Sequence, residues 1–285
     1  MIDFSRYGWN ETGTGIEKVY FRRYKKYATM TPTLITITYN AEKFLEKTIL
    51  SVLNQTCKDF EYIIVDGASK DSTVEIIKNY ELRIKNNEFQ RVMPKQFRWI
   101  SEPDKGLYDA MNKGIDMATG DFVWFINAGD LIYDHLTLQT IINAYSEAPM
   151  SDIIYGQSLI IDEQGNALGE RHKIAPKQLT KNSLLKGLVV CHQSILVKRT
   201  IVPKYDLQYQ ISADYDWTIQ AVKNSKSNNY IDQYLSKFLI SGVSSQQRKK
   251  SWIERFHIMK KHFGYGKTIW AHCIIMLKYP FTRKY

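Results

Sequence analysis

The hydrophobic positions of this 285-residue chain change period several times, and each change marks an element. Leu34-Ile35-Thr36-Ile37-Thr38 is a β-branched run that predicts a buried first strand. Leu45, Ile49, Val52 and Leu53 then fall on one helical face. Residues 60–65 (FEYIIV) predict a second strand, and Ser72-Thr73-Val74-Glu75 has the spacing of a capping box that opens a second helix. Residues 97–100 predict a third strand, 108–118 a helix and 122–126 a fourth strand. Strands alternating with helices specify an α/β fold, a doubly wound, mostly parallel, Rossmann-like sheet that takes ligands at the carboxyl ends of its strands. Beyond residue 130 the alternation weakens. Strands are predicted there near Ile153, Leu159, Ile195 and Phe238, and helices near Leu136, Leu179 and Trp217.

Composition leaves this reading intact and narrows its surroundings. With 44% hydrophobic and 24% charged residues the chain is an ordinary globular protein, which excludes disordered and fibrous classes. Cys57, Cys191 and Cys273 are odd in number and have neither metal-ligand nor redox spacing, so no disulfide framework is expected. The formal net charge of +10 is a property of the ends. Residues 246–285 carry ten Lys or Arg against one acid, Glu254, and residues 1–30 carry six against three, so the body between is close to neutral. That distribution points to an anionic surface met by one end of the molecule, with no groove for nucleic acid.

The tail has a pattern of its own. Trp252, Phe256, Met259 and Phe263 recur at helical spacing among Lys249, Lys250, Arg255, Lys260 and Lys261, and Trp270, Cys273, Ile274 and Leu277 form a second apolar set. Such a basic amphipathic segment either lies on an anionic membrane or packs on the domain with its charges in water. Residues 1–10 lack the apolar core of a signal peptide, and the apolar stretch 269–277, broken by His272, falls short of the roughly 20 residues that span a bilayer. The expected location is cytoplasmic, soluble or peripheral on the cytoplasmic face of the membrane. The first 29 residues, rich in Tyr and Arg, read as an appended segment.

Four polar clusters follow strand ends or lie in the later half. In Val65-Asp66-Gly67-Ala68-Ser69, the Asp66 carboxylate can only accept hydrogen bonds, which suits the imide N–H of a uracil ring, and Gly67 leaves room for a flat base. A plain turn and cap would use the same residues. Asp104, Gly106, Asp109 and Asn112 lie on a polar loop that runs into a helix, with Asp109 and Asn112 on one face. The nearly apolar strand 122–126 ends in Asn127-Ala128-Gly129-Asp130, where Asp130 could give an oxygen ligand to a divalent cation or cap the next helix. In Ser212-Ala213-Asp214-Tyr215-Asp216 the two acids point in different directions, so one can act as a general base while the other caps or orients. His192-Gln193 is a polar pair near the cleft, and a lone histidine is more often structural. Neither a Gly-x-Gly-x-x-Gly nor a Walker loop is present.

Taken in order, these segments resemble the family 2 inverting glycosyltransferases, which have a GT-A fold, over about residues 32–244. Thr38-Tyr39-Asn40 is similar to the family's first strand end, and Asp66-Gly67-Ala68-Ser69 to its uracil-binding turn. Glu102-Pro103-Asp104-Lys105-Gly106 with Tyr108-Asp109-Ala110-Met111-Asn112 resembles the donor-binding loop and helix, and Asn127 to Asp130 stand where the family has an Asp-x-Asp metal motif. Ser241-Gly242-Val243-Ser244 is similar to a late Gly-Gly-x-Ser stretch. The resemblance implies transfer of a hexose or N-acetylhexosamine from a UDP-sugar to a saccharide hydroxyl. It further implies a polyprenyl-diphosphate-linked acceptor, polysaccharide biosynthesis, Asp214 as base, and Mg²⁺ or Mn²⁺ on Asp130. Thr38, Asn40, Asp66, Gly67, Ser69, Asp104, Gly106, Asp109, Asn112 and Asn127 would serve the donor, and His192, Gln193 and Asp216 would touch donor or acceptor. On this reading residues 31–130 bind the nucleotide-sugar, 131–245 form the acceptor-binding half, 1–30 are an extension and 246–285 a helical tail. Asn127 and Gly129 depart from the motif by replacing acids that many relatives carry. That departure leaves open a silent sugar-nucleotide-binding scaffold; a sugar-phosphate nucleotidyltransferase would need a Gly-rich, Arg-containing loop where residues 38–42 (TYNAE) stand.

Overall fold

The computed structural model describes residues 29–89, 94–240 and 248–278. Its first half follows the predicted alternation: β1 (Pro32–Thr38), α1 (Leu45–Leu53), β2 (Glu61–Asp66), α2 (Thr73–Lys85), β3 (Gln96–Ser101), α3 (Leu107–Met117) and β4 (Phe122–Phe125). All residues of β1, β2 and β4 are buried, because helices cover both faces of the sheet there. Leu45, Ile49, Val52 and Leu53 of α1 are buried together as the spacing required. One refinement concerns the start of α2. Asp71 Oδ1, and not the Ser72 hydroxyl, accepts the Thr73 N–H at 3.0 Å, while the Ser72 N–H goes to Glu42 Oε2 at 3.0 Å, so the expected capping box does not form.

The later half contains β5 (Leu131–Ile132), α4 (Thr137–Glu147), β6 (Ile153–Ile161), β7 (Ala167–Glu170), β8 (Ile195–Lys198), α5 (Ala213–Asn224) and β9 (Asn228–Leu239). The separate strands expected near Ile153 and Leu159 are one strand, β6. The helix expected near Leu179 is a single 3₁₀ turn, Asn182–Lys186, closed by Gly187 at φ 93°. Among the described residues the strands form one sheet in the order β3-β2-β1-β4-β8-β6-β9-β5, with β7 beside β6. Strands β1 to β4 are mutually parallel, β8 reverses, and β6 and β9 return to the direction of β1. The sheet is thus mostly parallel and continuous across residue 130. Its carboxyl edge gathers the loops after β1, β2, β3 and β4.

Two cores flank the sheet. One joins α3, α5 and the tail to the face carrying Ile35, Ile63, Phe125 and Tyr155; the other joins α1, α2 and α4 to the face carrying Leu34, Tyr62 and Trp124. The tail helices α6 (Arg248–Phe263) and α7 (Tyr265–Lys278) therefore belong to the folded body. Ile258, Met259 and Ala271 are buried and Phe263 packs against them, whereas Trp252, Ile253, Ile269 and Trp270 stay exposed, so the packed face takes Met259 and Phe263 of the expected stripe and leaves Trp252 outside. No helix among the described residues is long and apolar enough to cross a membrane. Cys57, Cys191 and Cys273 are free thiols. The expectations for residues 1–28 and for Ser241-Gly242-Val243-Ser244 lie outside the described residues.

Candidate active site

Asp66 closes β2 and is wholly buried. Its carboxylate accepts the Ser69 N–H at 3.0 Å and the Ser101 hydroxyl at 2.6 Å on one oxygen, and the Ser69 hydroxyl on the other. Gly67 is bare for a reason. A Cβ there would stand 2.5 Å from Asp104 Oδ2 and 3.2 Å from the Tyr39 ring, so glycine lets the β3–α3 loop and the end of β1 close over the turn. Asn40 at φ 47° and Ala68 at φ 61° are left-handed, a conformation that costs non-glycine residues about 1–3 kcal/mol and collects at ligand sites. Both are held by cross-links, since the Asn40 N–H donates to Ser69 Oγ at 2.8 Å and the Lys70 N–H donates to Asn40 Oδ1 at 2.9 Å.

Beside this turn two buried oxygens have no partner among the described residues, Thr38 Oγ1 at the end of β1 and Asn127 Oδ1 just past β4. Buried polar atoms are nearly always satisfied, so orphans at a strand mouth mark a place where a ligand completes the hydrogen bonding. Tyr39 is 61% exposed beside Gly67, a flat apolar face that sequence reasoning included only as part of a motif.

The loop into α3 is held by its own acids. Asp104 Oδ1 accepts the Gly106 N–H at 2.8 Å and Asp109 Oδ2 the Lys105 N–H at 3.0 Å, with Gly106 at φ 112°. Asn112 faces elsewhere: its amide bonds both the N–H and the C=O of Tyr205, at 2.8 and 3.0 Å, which spends its hydrogen bonds on backbone. Tyr108, at the start of α3, donates to the Ile211 carbonyl at 2.9 Å and so joins the β3–α3 loop to the segment that leads into α5.

Asp214, in the first turn of α5, is partly exposed, and among the described residues its carboxylate accepts one hydrogen bond, from the N–H of Tyr215 at 2.8 Å. Burial raises its pKa above the usual carboxylate range, and the charges of Arg255 and Arg171 oppose that rise. The segment before it is clamped from the tail. The buried Glu254 of α6 accepts the N–H groups of Gln210, Ile211 and Ser212 at 2.8–2.9 Å. Asp216 is fully buried and turned away, bonded to His262 at 2.7 Å and Lys261 at 3.2 Å of α6; burial alone would raise its pKa, but those partners hold it below the usual range. It ties the tail to α5.

Asp130 and its neighbours depart from the expected chemistry. Its oxygens accept Gln193 Nε2 at 2.8 Å and the Leu239 N–H at 3.0 Å, and burial pushes the carboxyl up to about 7. Gly129 has φ 100°, and a side chain there would meet Leu239 Cδ2 at 2.8 Å, so no acid fits that position. A divalent cation takes oxygen ligands, usually one or two carboxylates with phosphate oxygens. Here the one carboxylate is committed to internal donors, and among the described residues no three His, Cys, Asp or Glu side chains converge. These residues do not make up a divalent-cation site. Gln193 serves Asp130, and its carbonyl accepts the Trp124 N–H at 2.9 Å. His192 is buried against Phe125, Tyr205 and Trp217, with Nε2 on the Tyr205 hydroxyl and a pKa pulled down by burial to about 4, so it is a neutral core group.

The structure thus gathers Thr38, Tyr39, Asn40, Asp66, Gly67, Ser69, Asp104 and Asn127 along one stretch of the carboxyl edge and sets Asp214 across the Tyr108–Ile211 link. Asn112, His192, Gln193 and Asp216 act as framework. Sequence reasoning missed Ser101 and Glu254; a hydroxyl at the end of β3 facing Asp66 was the available signal for the first, and the lone acid of a basic tail for the second.

Comparison with known proteins accounts for this arrangement. The family described as glycosyl transferase family 2 matches residues 33–205. A PGL/p-HBAD biosynthesis glycosyltransferase of Mycobacterium bovis is 32% identical over 196 residues, 67% of this chain and 70% of its own length. Staphylococcus aureus TarS 1–349, solved in complex with UDP-GlcNAc, superposes with a TM-score of 0.60 at 19% identity, over 81% of this chain and 65% of that one. A mannosyltransferase of Pyrobaculum calidifontis, in complex with GDP-Man and Mn²⁺, gives 0.61 at 14% identity over 93% and 79%. The structural likenesses establish the fold as GT-A. With the family match running from β1 to Tyr205, through the strand ends that build the site, the chain belongs to glycosyl transferase family 2.

Proposed function

We propose that the protein transfers a hexose or N-acetylhexosamine from a UDP-sugar to a saccharide hydroxyl, by direct displacement with inversion, using Asp214 as the general base. Asp214 is the observation that carries this reading. A single displacement needs one carboxylate to take the proton of the attacking hydroxyl, and the transition state resembles an oxocarbenium ion. Asp214 is partly open, its carboxyl raised toward the range in which a carboxylate is an effective base, and separated from the donor turn by the Tyr108 link. The donor would lie on the carboxyl edge of β1–β4. Asp66 offers acceptor oxygens fixed by Ser69 and Ser101 to a uracil imide, Tyr39 offers a stacking face, and Thr38 Oγ1 and Asn127 Oδ1 await polar groups of the nucleotide-sugar. Asp104 and Asp109 shape the loop that closes on it. TarS binding UDP-GlcNAc supports the choice of UDP. The mannosyltransferase neighbour holds Mn²⁺, but the Asp130 site here does not match one, so the reading assigns Asp130 to the framework and no step to a cation.

Residues 31–130 would then be the nucleotide-sugar half and 131–245 the acceptor half. The exposed Trp252, Ile253, Ile269 and Trp270 near Lys249, Lys250 and Lys267 would meet an anionic membrane on the cytoplasmic face and place the tail near a lipid-linked acceptor for polysaccharide assembly. The test is a screen of UDP-glucose, UDP-galactose and their N-acetyl forms for binding and for sugar release, with the anomeric configuration of the product read by NMR. Retention of configuration, or binding of GDP-sugars alone, would overturn the reading. Flotation with phosphatidylserine vesicles tests the membrane face.

A further inference from the structure

Strands β6 and β9 do not keep register along their length. Tyr155 pairs with Tyr230 and Gln157 with Tyr234, so one residue of β6, Gly156, stands against three of β9, Ile231, Asp232 and Gln233. Bulges are rare in parallel pairs, and they collect beside sites where a side chain has to be re-aimed. This one is built in, because a Cβ on Gly156 would stand 2.8 Å from the Gln233 carbonyl oxygen and 2.8 Å from Leu235 Cγ. Asp232 and Gln233 are thereby exposed on the wall of a cavity of about 390 Å³, a volume that suits a small ligand, and the loop after β7 forms its other wall.

The polar groups of that wall are fixed. The Gln157 amide pins the loop, accepting the Ala175 N–H at 3.0 Å and donating to the Ala175 carbonyl at 3.1 Å, and it donates to the Tyr230 hydroxyl at 2.7 Å as well. Tyr230 in turn donates to Asp232 Oδ1 at 2.9 Å, and the Tyr234 hydroxyl donates to Glu170 Oε1. Each carboxylate is held through one oxygen, and among the described residues the other, Asp232 Oδ2 or Glu170 Oε2, accepts no hydrogen bond. The rings are braced too, Tyr230 against Tyr155 with centroids 5.4 Å apart and Tyr234 against Tyr133 at 5.3 Å. Flat rings beside fixed carboxylate oxygens suit a sugar, whose C–H face packs on tyrosine and whose hydroxyls donate to carboxylates. Arg171 and Lys177 balance Glu170 and Asp232 on the wall, so its formal charge is zero and it favours an uncharged ligand. One loop connects the cavity with the element that bears Asp214. The Lys173 ammonium of that loop fills the space beside Gly187, which closes the 3₁₀ turn, and Leu184 of the turn accepts the Tyr215 hydroxyl at 2.6 Å.

Resting on Asp214 as the base that receives the acceptor, we infer that this cavity binds an uncharged sugar residue of the acceptor beyond the one that is glycosylated, so that the acceptor is an oligosaccharide of at least two residues. The full-length protein is screened on an array of neutral mono-, di- and trisaccharides with their uronic-acid and sialic-acid counterparts, and the bound glycans are titrated by saturation-transfer NMR. Neutral glycans bind, and their affinity falls about tenfold or more in Tyr234→Ala and in Asp232→Ala, the loss expected when a ring face or a hydrogen bond to a charged group is removed. Asp232 lies on the exposed bulge, so Asp232→Ala decides the matter even if Tyr234→Ala fails to fold, and its UDP affinity and circular dichroism stay those of the wild type. Offered as acceptors with the UDP-sugars, the bound di- and trisaccharides show a raised acceptor KM in Asp232→Ala with donor KM and kcat preserved. Equal glycan binding by wild type and both variants, preference for the acidic glycans, or no neutral glycan bound at millimolar concentration would overturn the inference. Competition of a bound glycan with UDP would place the cavity in the donor site and overturn it as well. Failure of every UDP-sugar to bind would sink the UDP-donor reading instead, and the array with the same variants would still decide the cavity.

Discussion

Asp66 and Asp214 both stand where an element meets the open edge of the sheet, yet the two are held in opposite ways. Asp66 has hydroxyl and amide donors on both oxygens, supplied by residues three and 35 positions away. Among the described residues Asp214 accepts one hydrogen bond, from the N–H of its neighbour, and the charges of Arg255 and Arg171 act on it. A carboxylate with all its geometry fixed recognises a ligand's donors; one left open, with its pKa raised by burial, can take a proton. On the proposed reading, then, the donor side of the sheet is a preformed template and the acceptor side is a reactive group held by borrowed supports.

That contrast can be broken at several points. The largest effect is expected for Asp214→Asn, which removes the base without altering shape: transfer falls by roughly 10²-fold or more while UDP affinity is unchanged, measured by steady-state assay and calorimetry. Wild-type turnover in this variant would strip Asp214 of its role. Next comes Glu254→Gln. An amide cannot accept from Gln210, Ile211 and Ser212 as the carboxylate does, so stability drops by about 1–3 kcal/mol and kcat falls more than the donor KM rises, in denaturant melts and kinetics. An intact melt with intact kcat would show that the clamp does not position the base. Gly67→Ala sharpens the other side. Its methyl group forces the Asp104 side chain to move, and the expected result is a several-fold rise in donor KM with kcat preserved.

The smallest effect is a slope. Because the Asp130 carboxyl is raised from 3.8 to about 7 in the fold, the native state binds the extra proton between those values, and stability declines as pH rises from about 4 to about 7. In Asp130→Asn that decline is shallower than in the wild type, while the Asp214 contribution stays in both proteins. Identical slopes would mean that Asp130 is not buried as described. The Mn²⁺ dependence of UDP binding should be the same in both, and a selective loss in the variant would restore Asp130 as a ligand.

What could be read from the sequence follows the same divide. β1 to β4 and their helices were legible because strand and helix periods are local, and the 66–69 turn was legible because its acid, glycine and serine are consecutive. The later half was not. Asp130 and Gln193 each look like site residues alone, and 63 positions of separation hide that they bond each other. Asn112 shares a helical face with Asp109, but Tyr205, 93 residues on, claims its amide. The tail's apolar spacing was visible, but which flank would meet the domain depended on Asp216 and on the loop 210–212, contacts that no period encodes.

The hold of Glu254 on three consecutive amides also sets an order of events during synthesis. Those amides lie 42–44 residues upstream of the acid that satisfies them, so a nascent chain stopped before residue 254 would have the carboxyl edge of β1–β4 but leave the loop before Asp214 unanchored. On the proposed role of Asp214, loss of α6 and α7 by nonsense mutation or proteolysis should accordingly silence turnover long before it unfolds the sheet, making this helical pair the support installed after the nucleotide template.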